Sequence, residues 1–390
     1  MRSLLTVVLL SLAATVNAGH GAAAPELSAY LASCERAGEA LWRHSLCAPV
    51  VVVDPAGGGI VASQAPPGPL PAVRANTAFD WMGSTWLMVL RPLPSDPAER
   101  ANLLFHESFH VHQRALGFAP NANVAGHLSS WQARASIRLE WAALAKALDS
   151  AGSERLRHVR RALGFRARRL QGQPQAAADE RALMRHEGLA SYTGVALSGD
   201  PVRLALKELA LGPERPSLAR SFAYASAPAW GLLLDDLRPD WKSALPSGED
   251  LPDLVPLSPL MPDGASDDEQ RVAAEEQARG VEAAARLQSA LARTADDRAL
   301  RLPLSKMGMD FDPNRVGTAP DQSQLYWKIT LRDAWGTMAV DGTPLRISAD
   351  YRMAFVPWPL PADARLTLAK GWRLQDTSGT PALVHDAASP

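Results

Sequence analysis

Residues 103–113, Leu-Leu-Phe-His-Glu-Ser-Phe-His-Val-His-Gln, set three histidines and a glutamate among Leu, Phe and Val. Just upstream, Ser95-Asp96-Pro97 with Glu99 three residues after Asp96 is a helix start, and Gly117 is a stop. The spacing therefore predicts a helix over about 97–116. Leu103, Leu104, Phe105, Phe109 and Val111 wrap apolar groups round most of it, so it belongs in a core. Polar side chains in such a setting are costly unless they find partners. Whatever fold this chain adopts must bring partners to residues 106–110, either protein groups or something that is not an amino acid.

The chain has material for one large domain and a smaller one: 390 residues, 47% hydrophobic and 21% charged. A formal net charge of −1 leaves no electrostatic footprint for nucleic acid or a membrane surface. Residues 1–18, MRSLLTVVLLSLAATVNA, read as a secretory signal peptide with a basic start, a short apolar run and a small-residue cleavage site after Ala18. That run is too short for a comfortable membrane span, and no later stretch is long and apolar enough. The mature protein is expected in the periplasm or secreted. Cys34 and Cys47, the only cysteines, are expected to form one disulfide there.

The patterning predicts an α+β protein: a mainly helical domain with a small sheet, then a small C-terminal β domain. Residues 26–43 have helical spacing, and the Val run ending at Asp54 and STWLMVLRP (84–92) read as strands. Further helices are expected at about 126–149, 152–170, 175–197 and 217–238. Five prolines mark 245–266 as a linker or an extended surface segment, which ends the first domain at 244. A charged, Ala-rich helix follows within 267–298. From 299 to 390, segments such as YWKITL, GTMAV, LRISADYRMAFV and ARLTLAKGWRL alternate as strands do.

His106-Glu107-Ser108-Phe109-His110 is His-Glu-x-x-His. On a helix, positions i and i+4 share a face, so both imidazoles can reach one metal ion. Glu107, rotated by about 100° from His106, stands where a carboxylate can hold a water. Neutral imidazoles suit Zn²⁺ and leave it Lewis acidic. With STWLMVLRP supplying a strand beside the helix, as a peptide-binding edge would require, the sequence resembles the zincin metallopeptidases. Gln113 and Leu116 replace the Gly and His of the metzincin continuation, which excludes that subgroup. Residues 180–194, ERALMRHEGLASYTG, are similar to the second helix of gluzincin-like families. The resemblance implies Zn²⁺ held by His106, His110 and Glu187, with the helical pair at about 126–170 as an insertion. It also implies Glu107 as general base then acid, and SFAYASAPAWGLLLDDL as the helix that supplies Tyr224 to the oxyanion.

Other residues compete for these roles. Glu140, among Ile137, Trp141 and Leu144, is the rival third ligand, its plainer reading being an ion pair with the Arg-rich helix at 152–170. Tyr192 is a weaker oxyanion candidate. His112 points about 200° from His110 and cannot share a metal with it easily. His186 either supports Glu187 or is exposed, and His127 reads as a helix N-terminal residue. Glu180 either orients a ligand imidazole or forms a solvent ion pair. Gly188 leaves room for two helices to approach. The expected function is an exported zinc peptidase acting on a peptide or protein. The alternative is an exported binding protein that keeps the metal core for stability.

Overall fold

The computed structural model describes residues 25–54, 59–70, 75–118, 124–215, 217–261, 266–295, 299–312, 315–377 and 380–386. The segment read as a signal peptide, residues 1–18, lies outside them.

Helix α1 (Pro25–Trp42) leads into four strands, β1 (Val50–Val53), β2 (Ile60–Ala62), β3 (Thr77–Trp81) and β4 (Ser84–Leu90). They form one sheet in the order β2-β1-β4-β3, with β1 and β4 parallel and the other pairs antiparallel. The Val run is buried on both faces because strand side chains alternate. Val50 and Val52 pack with Leu27, Tyr30, Leu104 and Phe105, while Val51 and Val53 pack with Trp81, Trp86 and Met88. Between β3 and β4, Met82 (φ 49°) and Gly83 (φ 87°) make a two-residue turn with both central residues left-handed. One expectation is corrected here. STWLMVL is not an edge strand but an inner one, and among the described residues the edges are β2 and β3. A local pattern identifies a strand but does not say which neighbours pair with it.

Helix α2 (Pro97–His112) begins as predicted, with the Asp96 carboxylate accepting from the amides of Ala98 and Glu99 at 2.8 and 3.1 Å. It ends a turn earlier than the spacing suggests, and the chain turns out at Gly117 (φ 87°). The remaining helices of this half are α3 (Trp131–Asp149), α4 (Gly152–Leu170), α5 (Pro174–Leu183), α6 (Leu189–Ala196), α7 (Pro201–Leu211) and α8 (Phe222–Leu237). Their shared core holds Phe109, Trp141, Tyr192, Phe222, Trp230 and Trp241. Helix α3 is central to it: Ile137 and Leu144 are fully buried, and the Trp141 indole N–H donates to Ser226 Oγ on α8 at 2.7 Å.

The Pro-rich stretch expected as a linker is also docked. Leu245, Leu251 and Leu254 are buried in the same core, and Arg166 on α4 pairs with Asp250 and Asp253, each at 2.8 Å. Proline limits this segment to short 3-10 turns, Trp241–Ser247 and Pro252–Leu254, and Leu side chains between the prolines bind it to the helical layer.

Helix α9 (Asp267–Arg293) joins the two halves. Its buried Glu276 pairs with Arg134 and Arg138 of α3 at 2.7 and 2.8 Å. Its last turns, at Ala290 and Leu291, pack on Leu325 and Trp327. Nine strands follow: β5 (Ala299–Pro303), β6 (Gly308–Phe311), β7 (Val316–Thr318), β8 (Gln324–Asp333), β9 (Gly336–Ile347), β10 (Met353–Pro357), β11 (Ala364–Leu368), β12 (Trp372–Thr377) and β13 (Thr380–His385). They form a separate sheet with its own core around Leu331, Trp335, Met338, Leu345 and Val356. The fold is α+β with a C-terminal sheet region. Cys34 and Cys47 are disulfide-bonded. No helix among the described residues is long and apolar enough to cross a membrane.

Candidate metal centre

Helix α2 turns His106 and His110 to one side, and their Nε2 atoms lie 3.3 Å apart. Glu187 arrives from the second half of the helical layer, its Oε2 3.7 Å from His106 Nε2 and 3.5 Å from His110 Nε2. A tetrahedral zinc with bonds of about 2.0–2.1 Å sets its ligand atoms about 3.3–3.4 Å apart. Three converging lone-pair groups at that spacing fit a single metal ion. No other group of three or more His, Cys, Asp or Glu among the described residues comes together in this way.

Glu187 reaches the site through a local irregularity. Residues Met184–Gly188 form one π turn between α5 and α6, so the continuous helix expected at 175–197 carries an extra residue there. Glu180 on α5 faces α4, whereas Glu187, beyond the turn's start, faces α2. Close contact with α2 follows from glycine: a Cβ on Gly194 would collide with the Asn102 backbone.

Tyr224, at the start of α8, donates its hydroxyl to Glu187 Oε2 at 2.7 Å. Its ring lies nearly parallel to the His106 ring, with centroids 5.5 Å apart. Burial, and then the Glu187 charge, keep this phenol protonated by raising its pKa. Glu107 is 7% exposed and makes no hydrogen bond to protein among the described residues. Burial raises its carboxyl to about 7, with His110 opposing the rise and Glu187 adding to it. Burial, then the neighbouring His110, hold His106 down at about 3, in the neutral form that ligates. Burial alone would raise Glu187, but the adjacent His110, the hydrogen bond from Tyr224 and the nearby His106 outweigh it and hold the carboxylate at about 2.

The rivals are engaged elsewhere. Glu140 accepts from Arg169 at 2.7 Å and from the Trp230 indole at 3.0 Å. Glu180 is neither solvent-paired nor at the site: it accepts from Arg169 and from His127 Nε2, both at 2.8 Å. The Tyr192 hydroxyl donates to Asp235, at 2.7 Å to one carboxylate oxygen. His112 lies with its Nε2 2.9 Å from the Cys47 carbonyl and its Nδ1 3.2 Å from His44, on the far side of α2. Two residues beside the ligands went unnoticed in the sequence, Gln113 and Ser191. The first stands three positions after His110 and the second four after Glu187, so helical spacing would have found both.

No protein-family model, curated protein or solved structure matches this chain.

Proposed function

We propose that this chain is an exported zinc-dependent peptidase whose centre is His106, His110 and Glu187. The observation that carries the reading is the triangle of 3.3, 3.5 and 3.7 Å among three ligand atoms, with a buried carboxylate beside it. Two imidazoles and one carboxylate in a tetrahedral set suit Zn²⁺. A zinc ion bound there would supply Lewis acidity and lower the pKa of a water molecule towards about 7. Glu107, next to His106 and without a protein hydrogen bond among the described residues, takes the proton of the attacking water and delivers it to the leaving amine. Tyr224 is a phenol 2.7 Å from Glu187, and its hydroxyl would turn from that carboxylate to donate its one hydrogen to the oxyanion of the scissile carbonyl. Strand β3, an edge strand among the described residues against which α2 packs, offers main-chain groups to an extended peptide. The Cys34–Cys47 disulfide agrees with an oxidising compartment.

Incubating the full chain with a peptide library at micromolar Zn²⁺ tests this. Cleavage that a chelator stops and Zn²⁺ restores is the expected outcome. Stoichiometric zinc with no cleavage would replace the peptidase by a binding protein that retains the metal core.

A further inference from the structure

We infer that Gln113 and His186, which are not ligands, form a one-way hydrogen-bond relay that locks His110 and Glu187 in ligating orientation. The inference rests on the metal-site reading above.

The Gln113 carboxamide lies between two imidazoles. Its Oε1 is 2.9 Å from His110 Nδ1 and 3.2 Å from His186 Nδ1, and its Nε2 is closer to His186 Nδ1, at 2.8 Å. His186 Nε2 is in turn 3.4 Å from Glu187 Oε1, the carboxylate oxygen not engaged by Tyr224. The chain of contacts therefore starts on one ligand and ends on another.

One condition, together with the shorter of the two Gln113–His186 contacts, fixes the donors in it. An imidazole that offers a lone pair from Nε2 carries its proton on Nδ1. His110 Nδ1–H then donates to Gln113 Oε1, because an amide nitrogen cannot accept. This sets the amide orientation, so Gln113 Nε2–H donates to His186 Nδ1. His186 carries its own proton on Nε2 and presents it to Glu187 Oε1. The opposite amide orientation would make His110 Nδ1 an acceptor and move its proton to Nε2, against His106 Nε2 at 3.3 Å. The amide of a residue that never titrates thus selects the tautomer that can ligate.

His106 is set in the same sense by a second contact. The Ser191 hydroxyl donates to the Glu187 carbonyl at 2.9 Å, leaving only lone pairs to face His106 Nδ1 at 3.3 Å. His110 is therefore read by Gln113 at the end of α2, and His106 by Ser191 on α6. Gln113 and His186 are positioning residues, as outer partners of metal-bound imidazoles commonly are.

Competitive Zn²⁺ titration against a chromophoric chelator tests the relay on the full chain. Gln113→Leu is expected to bind about 10–100-fold more weakly than wild type. Gln113→Glu, whose carboxylate still accepts from His110 Nδ1–H but cannot donate to His186, is expected to bind between wild type and Gln113→Leu. Gln113→Leu/His186→Phe is expected to bind no more weakly than Gln113→Leu alone, since breaking one link opens the whole relay. Co²⁺ absorption reports the ligand geometry independently, and is expected to change more in Gln113→Leu than in Gln113→Glu. Urea unfolding of the metal-free variants separates loss of orientation from loss of fold. Zinc-binding wild type with equal binding by Gln113→Leu overturns the relay alone, as do losses that multiply in the double variant. Wild type that binds no zinc overturns the site reading beneath it.

Discussion

Glu107→Gln is expected to lower peptide hydrolysis by about 10²–10⁴-fold while leaving zinc bound, because the amide cannot take a proton from water. The substitution preserves shape, and Glu107 has no protein hydrogen bond to lose among the described residues, so stability should hold or rise slightly. A carboxylate kept 7% exposed is normally unfavourable. Burial raises the group to about 7, which matches a residue that both accepts and returns a proton near neutrality. Rates of peptide cleavage with parallel zinc analysis check the expectation. Undiminished cleavage would remove Glu107 from the chemistry, and lost zinc would make it a structural residue instead.

Arg169→Met is expected to cost about 3–5 kcal/mol of folding stability. The guanidinium of Arg169 is buried and donates to Glu140 at 2.7 Å and to Glu180 at 2.8 and 2.9 Å, on two other helices. Removing it leaves two carboxylates, each 1% exposed, inside the helical layer without their cation. The same network makes stability depend on acid. Burial alone would raise Glu180, but Arg169 and His127 outweigh it and hold the group at about 2, against 4.5 for the free side chain. A depressed carboxylate contributes its stabilisation above pH 4.5, and that contribution is lost as the pH falls towards 2. Urea unfolding at neutral pH and across that acid range measures both effects. A loss under about 1 kcal/mol in Arg169→Met would show that the pair does not hold α3, α4 and α5 together.

The parts of this molecule that could be read in advance are those with local causes. Asp96 caps α2 because a short acceptor followed by Pro97 suits no other place in a helix. His106 and His110 face one way because four residues make just over a turn. The Cys pair, the alternating strands of the C-terminal sheet and the long α9 were legible for similar reasons. What escaped depends on partners far along the chain. Strand β2 is three residues long and owes its existence to β1. The inner place of β4 follows from β1 pairing on one side and β3 on the other. Leu251 and Leu254 look like linker residues until α4 covers them. At the site, Glu187 could be placed by its pattern, but the π turn that aims it breaks the regular helical period. The place of His186 depends on Gln113, which is 73 positions away in sequence and so invisible to any local pattern.

The claim beneath all of this is that one metal ion is held by residues from α2 and from the turn before α6. Titrating the purified full chain with Zn²⁺, with Co²⁺ absorption as a second readout, tests it most directly. The account predicts one ion per chain in the wild type, and loss of tight binding in both His106→Ala and Glu187→Ala with the fold retained. No stoichiometric binding, or tight binding that survives Glu187→Ala, would contradict it.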